Sequence, residues 1–206
     1  MDGYVPKGRG MADTWWGKAW VANLESYADY ANRISRGRSY LRGGRVLNIE
    51  IDEGKVSARV QGSRSRPYRV TVDIQPLSEE RKAEVCRRCG NRIENLDSLL
   101  AGNIPSDIAD LFVSRDGLFP SPKDIYFKCT CPDWAYMCKH VAAVLYGIGV
   151  AFDHDPMLFF RLRGTDVDSL IKRSVQEKVE SMMRNSDVRS PRIIDDSRLS
   201  GLFGVL

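Results

Sequence analysis

The segment from Phe127 to His140 reads FKCTCPDWAYMCKH, and it holds three of the five cysteines and one of the two histidines of the chain. Its pattern is C-x-C, six residues, then C-x-H. Structural zinc takes four Cys or His ligands in a tetrahedron. One-residue spacing in an extended strand places Cys129 and Cys131 on the same face, about 6–7 Å apart. Cys138 and His140 lie where a helix begins and can meet that pair from the other side. The segment therefore predicts one zinc ion that holds the fold together.

A catalytic zinc is the main alternative, because Cys and His also build reactive sites. Catalytic zinc usually has three protein ligands and one open position, whereas four ligands fill the shell here. The second histidine, His154, stands before an Asp-Pro pair that is typical of a turn. The chain also lacks a glycine-rich nucleotide loop. We therefore expect no enzymatic reaction and no small-molecule substrate.

The cysteine pattern resembles that of the SWIM-type zinc finger, which is C-x-C, a variable gap and C-x-H. The residues between and after the ligands are also similar to that family: Pro132-Asp133-Trp134, Lys139 and the apolar run Val141–Tyr146. The resemblance implies that the four matching positions are the zinc ligands and that Asp133 is not one. We expect Asp133 to cap the loop or to accept a hydrogen bond from the ring of His140. We expect Trp134 to pack against the metal site.

A weaker resemblance extends over roughly residues 13–172. It rests on TWWGKAW from Thr14, GSR from Gly62 and PYRV from Pro67, which look like the N-terminal region of prokaryotic SWIM finger proteins. Those proteins often accompany helicase-like ATPases of the Snf type. The resemblance implies binding to DNA or to proteins, and a helicase-like ATPase as a partner, without an established reaction.

Alternating apolar residues predict three strands over 46–51, 55–60 and 68–74, joined by short turns into an antiparallel meander. Before them, residues 14–32 have the spacing of a helix, with a stripe formed by Trp16, Trp20, Leu24 and Tyr27. Large aromatic residues at helical spacing are mostly core, although Trp15, Trp16 and Trp20 could instead stack on bases.

The predicted fold class is α+β, with the N-terminal helix, the three-strand meander, further helices, the zinc finger and a C-terminal helix. We divide the chain into an N-terminal helix and basic meander (1–76), a helical linker region (77–124), the finger (125–150) and a C-terminal extension (151–206). In the linker region, residues 78–113 predict two or three helices. The extension contains an amphipathic helix over about 165–184.

The net charge of +4 conceals an asymmetry, because residues 32–70 carry 10 basic and 3 acidic side chains. A basic patch indicates a polyanionic partner, DNA or RNA, although a solvated charged surface is the ordinary alternative. We interpret 33–45 as an Arg- and Gly-rich loop, and the turn at 62–67 as a second basic loop. The candidate nucleic-acid contacts are Arg36, Arg38, Arg42, Arg45, Arg64, Arg66 and Arg69. A protein-interaction adaptor, which presents the finger and the 165–184 helix to a partner, remains the alternative function.

The cysteine count indicates a reducing compartment, since an odd number suits metal binding better than a disulfide framework. The sequence shows neither a membrane-spanning apolar run nor a signal peptide at its N-terminus, so we expect a cytoplasmic protein without a membrane partner. Cys86 and Cys89 form a C-x-x-C pair that offers only two ligands. We interpret them as two cysteines on a helix, and a redox dithiol or an intermolecular metal or disulfide contact stays an alternative.

Overall fold

A computed structural model describes residues 4–26, 31–89, 101–104, 106–114 and 117–165, together with eight separate positions between 172 and 184. A short 3-10 turn, Pro122–Asp124, comes directly before the strand that begins at Ile125. The elements follow the order α1 (Trp15–Glu25), α2 (Ala31–Arg42), β1 (Val46–Asp52), β2 (Lys55–Val60), β3 (Tyr68–Ile74), α3 (Glu79–Cys89), α4 (Ser106–Val113), β4 (Ile125–Cys129), α5 (Lys139–His154) and α6 (Met157–Leu162).

The four strands form one antiparallel sheet in the order β1-β2-β3-β4. The predicted α+β class and the three-strand meander are confirmed. The fourth strand is an addition: β4 pairs with β3 so that Val70 lies opposite Cys129 and Ile74 opposite Ile125. The first metal ligand therefore stands at the end of a strand whose position the whole sheet determines.

Helix α5 is the centre of the core, and every residue from His140 to Phe152 is buried. A helix that is apolar on all sides needs neighbours on all sides. Helices α1 and α2 and the sheet supply them. Trp16 and Trp20 of α1 are 0% and 1% exposed, and the indole N–H of Trp20 donates to the carbonyl of Leu145 at 2.7 Å. For these two tryptophans the core interpretation is confirmed. Tyr27, the last residue of the predicted stripe, lies outside the described residues.

The loop predicted over 33–45 is wrong, because most of that segment is helix α2. Its buried positions are Ile34, Gly37 and Leu41, which recur at helical spacing. Gly37 lets α2 approach α5 closely: a Cβ at this position would lie 2.5 Å from the Cβ of Ala142. Packing against α5 outweighs the roughly 1 kcal/mol by which an interior glycine disfavours a helix.

Helix α3 begins after Ser78, whose hydroxyl accepts from the backbone N–H of Arg81 at 3.3 Å. Cys86 and Cys89 belong to this helix, and their side chains lie outside the described part of the structure. Most of the predicted 165–184 helix also lies outside it, and the eight described positions there are helical. Among the described residues, no helix is long and apolar enough to cross a bilayer. The four-part division of the chain stays a prediction.

Candidate metal centre

The four predicted ligands come together between the end of β4 and the start of α5. Their ligand atoms all lie within 4.8 Å of one another. Cys129 is the last residue of β4, and Cys138 is the N-cap of α5. The Nδ1 atom of His140 lies 3.9 Å from the sulfur of Cys129 and 3.8 Å from the sulfur of Cys138.

This donor set fits zinc. Three thiols and one imidazole form a four-ligand structural site, with Zn–S near 2.3 Å and Zn–N near 2.0–2.1 Å. Such a tetrahedron places its ligand atoms roughly 3.5–3.8 Å apart, close to the observed Nδ1–sulfur distances. All three cysteines are free thiols rather than disulfides. The ligands are buried or half-buried, and all four coordination positions are filled by protein. The group can therefore hold one zinc ion in a closed, structural site.

The three thiols are close enough to share protons. A hydrogen bond from Cys129 lowers the pKa of Cys138, with a further contribution from His140. The same hydrogen bond and burial raise the pKa of Cys129, and burial raises that of Cys131. A thiolate at the helix N-terminus thus forms most readily. A bound cation would replace the protons on the other two, because zinc ligands are deprotonated.

The middle residue of the C-x-C pair is fixed to the sheet. The hydroxyl of Thr130 accepts from the backbone N–H of Arg69 at 3.0 Å. The N–H of Thr130 donates to the carbonyl of Arg69, also at 3.0 Å. These two bonds continue the β3–β4 pairing past the end of β4, so Cys129 and Cys131 extend from a rigid backbone.

The ring of His140 is clamped between two tyrosines, Tyr40 of α2 with ring centroids 5.3 Å apart and Tyr68 of β3 at 4.7 Å. The ring is 4% exposed. Its Nε2 atom has no hydrogen-bond partner among the described residues and faces Gly62, where a Cβ would lie 3.2 Å away. Because Nδ1 faces the sulfurs, Nε2 is the nitrogen that carries the proton when zinc is bound.

Asp133 caps the loop between the two ligand pairs, as one of the two expectations had it. One carboxylate oxygen accepts from the backbone N–H of Ala135 at 3.1 Å. The other oxygen pairs with Arg33 of α2 at 3.0 Å. Both oxygens are thus engaged away from the imidazole, and the alternative hydrogen bond to His140 is not present. The carboxylate instead joins the finger loop to α2.

The expected packing of Trp134 against the metal site is wrong. Its side chain is 95% exposed. The rings that pack against the ligand His140 are instead Tyr40 and Tyr68, and the indole faces solvent.

The structure brings three of the predicted arginines to the metal centre. The turn that contains Arg64 and Arg66 follows Gly62, which contacts both Tyr68 and the ring of His140. Arg69 lies on β3 beside Thr130. All three side chains are exposed.

The predicted arginines of 33–45 have different positions, because they lie on or just after α2 rather than in a loop. Arg36 is exposed, one helical turn from Arg33. Arg38 pairs with Glu25 and donates to the hydroxyl of Tyr146 at 2.8 Å, so it joins α1, α2 and α5. Arg42 donates to the carbonyl of Arg9. Arg45 is exposed, and its carbonyl accepts from Gln61.

Two basic residues that the sequence pattern did not single out lie at the same end of the sheet as the metal centre. Arg59 lies directly opposite Arg69 in the sheet, and Lys128 precedes the first ligand on β4. Both are exposed. The alternation of apolar residues in β2 was sufficient to predict that Arg59 faces solvent. The exposed position of Lys128 could not be predicted without knowing where β4 lies. Together they form the finger-end basic group, which we define as Arg59, Arg64, Arg66, Arg69 and Lys128.

Comparison with known proteins agrees with this geometry. The family model of the SWIM zinc finger matches residues 128–147. The uncharacterized protein Rv2102 of Mycobacterium tuberculosis is 39% identical over 163 residues, which are 78% of this chain and 58% of that protein. The chain thus spans less than two thirds of this relative's length. No solved structure matches the chain. The matched residues contain all four clustered ligands, and residues 128–147 of this chain are a SWIM zinc finger.

Proposed function

We propose that the chain is a non-catalytic nucleic-acid-binding module, stabilised by structural zinc, which acts in the cytoplasm beside a helicase-like ATPase. The observation that carries this proposal is the charge of the segments around the metal centre. Residues 31–45 hold five basic side chains, 61–72 hold three and 125–147 hold two, and the three segments together hold one acidic residue, Asp133. That acid is already neutralised by Arg33.

Arg33 and Arg38 are paired with acids of the fold, whereas the basic residues near the finger are presented to solvent. Every member of the finger-end basic group is exposed. Arg59 and Arg69 lie directly opposite each other on two strands, where like charges are unfavourable. The guanidinium of Arg59 also donates to the side-chain oxygen of Asn48 at 3.2 Å. A phosphate backbone supplies anions, and arginine side chains bind phosphate oxygens through two parallel hydrogen bonds.

The zinc site supports this role as a scaffold. It fixes the end of β4 and the start of α5, and it contacts the β2–β3 turn through His140 and Gly62. Zinc therefore helps to hold the β2–β3 turn, which carries Arg64 and Arg66, against the finger. The closed four-ligand shell leaves no position for a substrate, which supports a non-catalytic function.

Salt-dependent binding tests the proposal. We expect fluorescence anisotropy with labelled oligonucleotides to show an affinity that falls steeply with salt. The affinity is plotted as its logarithm against the logarithm of the salt concentration. The double substitution Arg64→Ala and Arg66→Ala should make this slope shallower by about 0.7 per lost contact on single strands. Lys55→Ala with Lys123→Ala is the matched control, because these exposed lysines lie at the opposite end of the sheet. Absence of binding at low salt contradicts the proposal.

A protein-interaction adaptor is the second candidate, and one observation favours it. Val175, Val179 and Met182 are helical and 56%, 49% and 61% exposed. Their spacing of four and three residues places them on one face of a helix. Under this alternative, capture of a protein partner from native lysate is lost when these three residues become serine, and nucleic-acid binding is absent.

The ATPase partnership rests on the resemblance of the N-terminal motifs. Its test is co-purification of a Snf-type ATPase with the full chain from native lysate. Turnover of ATP by the chain alone stays at background under this proposal.

A further inference from the structure

The position of Trp134 points to single-stranded nucleic acid, and we infer that this indole stacks on an unpaired base. The inference rests on the proposed function and names the class of its ligand. Trp134 is the most exposed large apolar side chain among the described residues, at 95%. An indole exposed to this extent contributes little to the stability of the fold, because apolar side chains stabilise a fold when they are removed from water.

The backbone that carries Trp134 is held on both sides. The preceding residue, Asp133, binds the N–H of Ala135 and pairs with Arg33 on α2. The loop also begins and ends at zinc ligands, Cys131 and Cys138. The loop that carries this ring is therefore already ordered before a base binds, which reduces the backbone entropy lost on binding.

A second aromatic ring lies two residues away. Tyr136 is 52% exposed, its ring contacts Phe127 with centroids 5.1 Å apart, and its hydroxyl donates to the carbonyl of Ile125 at 3.3 Å. The Cα atoms of Trp134 and Tyr136 are at most about 7 Å apart. The exposed indole and the held, half-exposed tyrosine ring within that distance can together form a surface on which successive bases stack.

Basic residues lie on the elements that the finger loop contacts. Arg36 lies one turn from Arg33, which contacts the finger loop. Lys128 lies on the strand that Tyr136 contacts. Sequence-independent binding of single strands combines such charges along the backbone with aromatic rings under the bases.

The buried finger helix argues against groove recognition of a duplex. Zinc fingers that read a duplex insert a helix into the major groove. Helix α5 is buried from His140 to Phe152, so its side chains cannot reach base edges. In a duplex the base faces are already stacked on one another, whereas in a single strand they are free to meet Trp134.

Binding measurements on the full, zinc-loaded chain test this inference. The probes are a thymidine and a uridine homopolymer oligonucleotide and a DNA duplex of equal length, at one salt concentration. We expect Trp134→Ala to weaken single-strand binding about 5- to 150-fold and to leave duplex binding unchanged. Leu47→Ala, which removes another exposed apolar side chain on distant β1, is the control and should change neither. The two homopolymers distinguish a DNA from an RNA ligand.

Tryptophan fluorescence provides a second readout. Stacking should quench the emission of the wild-type chain, and Trp134→Phe should abolish the quenching while Trp15→Phe, at a partly buried position, retains it. Equal effects of Trp134→Ala on single strands and duplex, or unchanged single-strand binding, overturn the inference while the salt-dependent binding of the proposed function stands. Absence of binding to every probe overturns both.

Discussion

The contact between Gly62 and the metal ligand His140 gives the most specific prediction about the zinc site. A Cβ at residue 62 would lie 2.3 Å from the ring of Tyr68 and 3.2 Å from Nε2 of His140. Carbon atoms in contact prefer about 3.5–4.0 Å, so the tyrosine ring or the loop must move by more than 1 Å. Tyr68 is 5% exposed and has little room to move.

Gly62→Ala should therefore displace His140 or the basic turn. Overpacking of a filled site costs about 1–3 kcal/mol, and changes to groups that support a metal ligand lower metal affinity about 10–100-fold. We expect a loss of zinc affinity of that size, together with a lower midpoint of thermal unfolding. Competition with a zinc chelator of known affinity measures the first, and a thermal melt measures the second.

Ser63→Ala is the matched control, because Ser63 is the exposed neighbour of Gly62 and its substitution adds no atoms. It should bind zinc as the wild-type chain does. If Gly62→Ala also keeps wild-type zinc affinity and stability, the β2–β3 turn does not pack against the ligand as described. Zinc would then not help to hold the turn that carries Arg64 and Arg66.

Two further predictions separate structural from surface roles. Arg38→Ala should lower the midpoint of thermal unfolding, because Arg38 joins Glu25 to Tyr146, whereas Arg36→Ala should leave it unchanged and weaken oligonucleotide binding; the reverse pattern would refute these assignments. Burial raises the pKa of the Tyr146 phenol, so its contribution to stability is complete below the unfolded pKa of about 10 and is lost as pH rises through the folded pKa. Denaturant titrations should therefore show that the free energy of unfolding falls less at alkaline pH for Tyr146→Phe than for the wild-type chain. An equal fall with pH in the two proteins would contradict this.

The sequence was most informative where the determining contacts are local. The spacing of Cys129, Cys131, Cys138 and His140 identifies the ligands because a strand end and a helix start place such residues close together without knowledge of the rest of the fold. The alternation of 46–51, 55–60 and 68–74 likewise predicts the meander, since each strand pairs with its neighbour through a short turn.

The predictions from sequence were wrong or incomplete where contacts between residues far apart in the chain determine the structure. Helix α2 looks like a loop in sequence because of its arginines and Gly37, and only packing against Ala142 of α5 explains that glycine. The pairing of β4 with β3 brings Cys129 opposite Val70 although a long stretch of chain separates the two strands. No periodicity in the sequence predicts this pairing. Trp134 looks like a core residue by type, but Tyr40 and Tyr68 already occupy the space beside the ligand His140.

The zinc content of the freshly purified, reduced chain tests the central claim most directly. Elemental analysis by mass spectrometry should find one zinc ion per chain, as one closed Cys3His group requires. Removal of that zinc by a chelator should unfold the region around β4 and α5, because structural zinc binding contributes directly to folding free energy. A zinc content well below one equivalent, in protein that is nonetheless fully folded, would contradict the account.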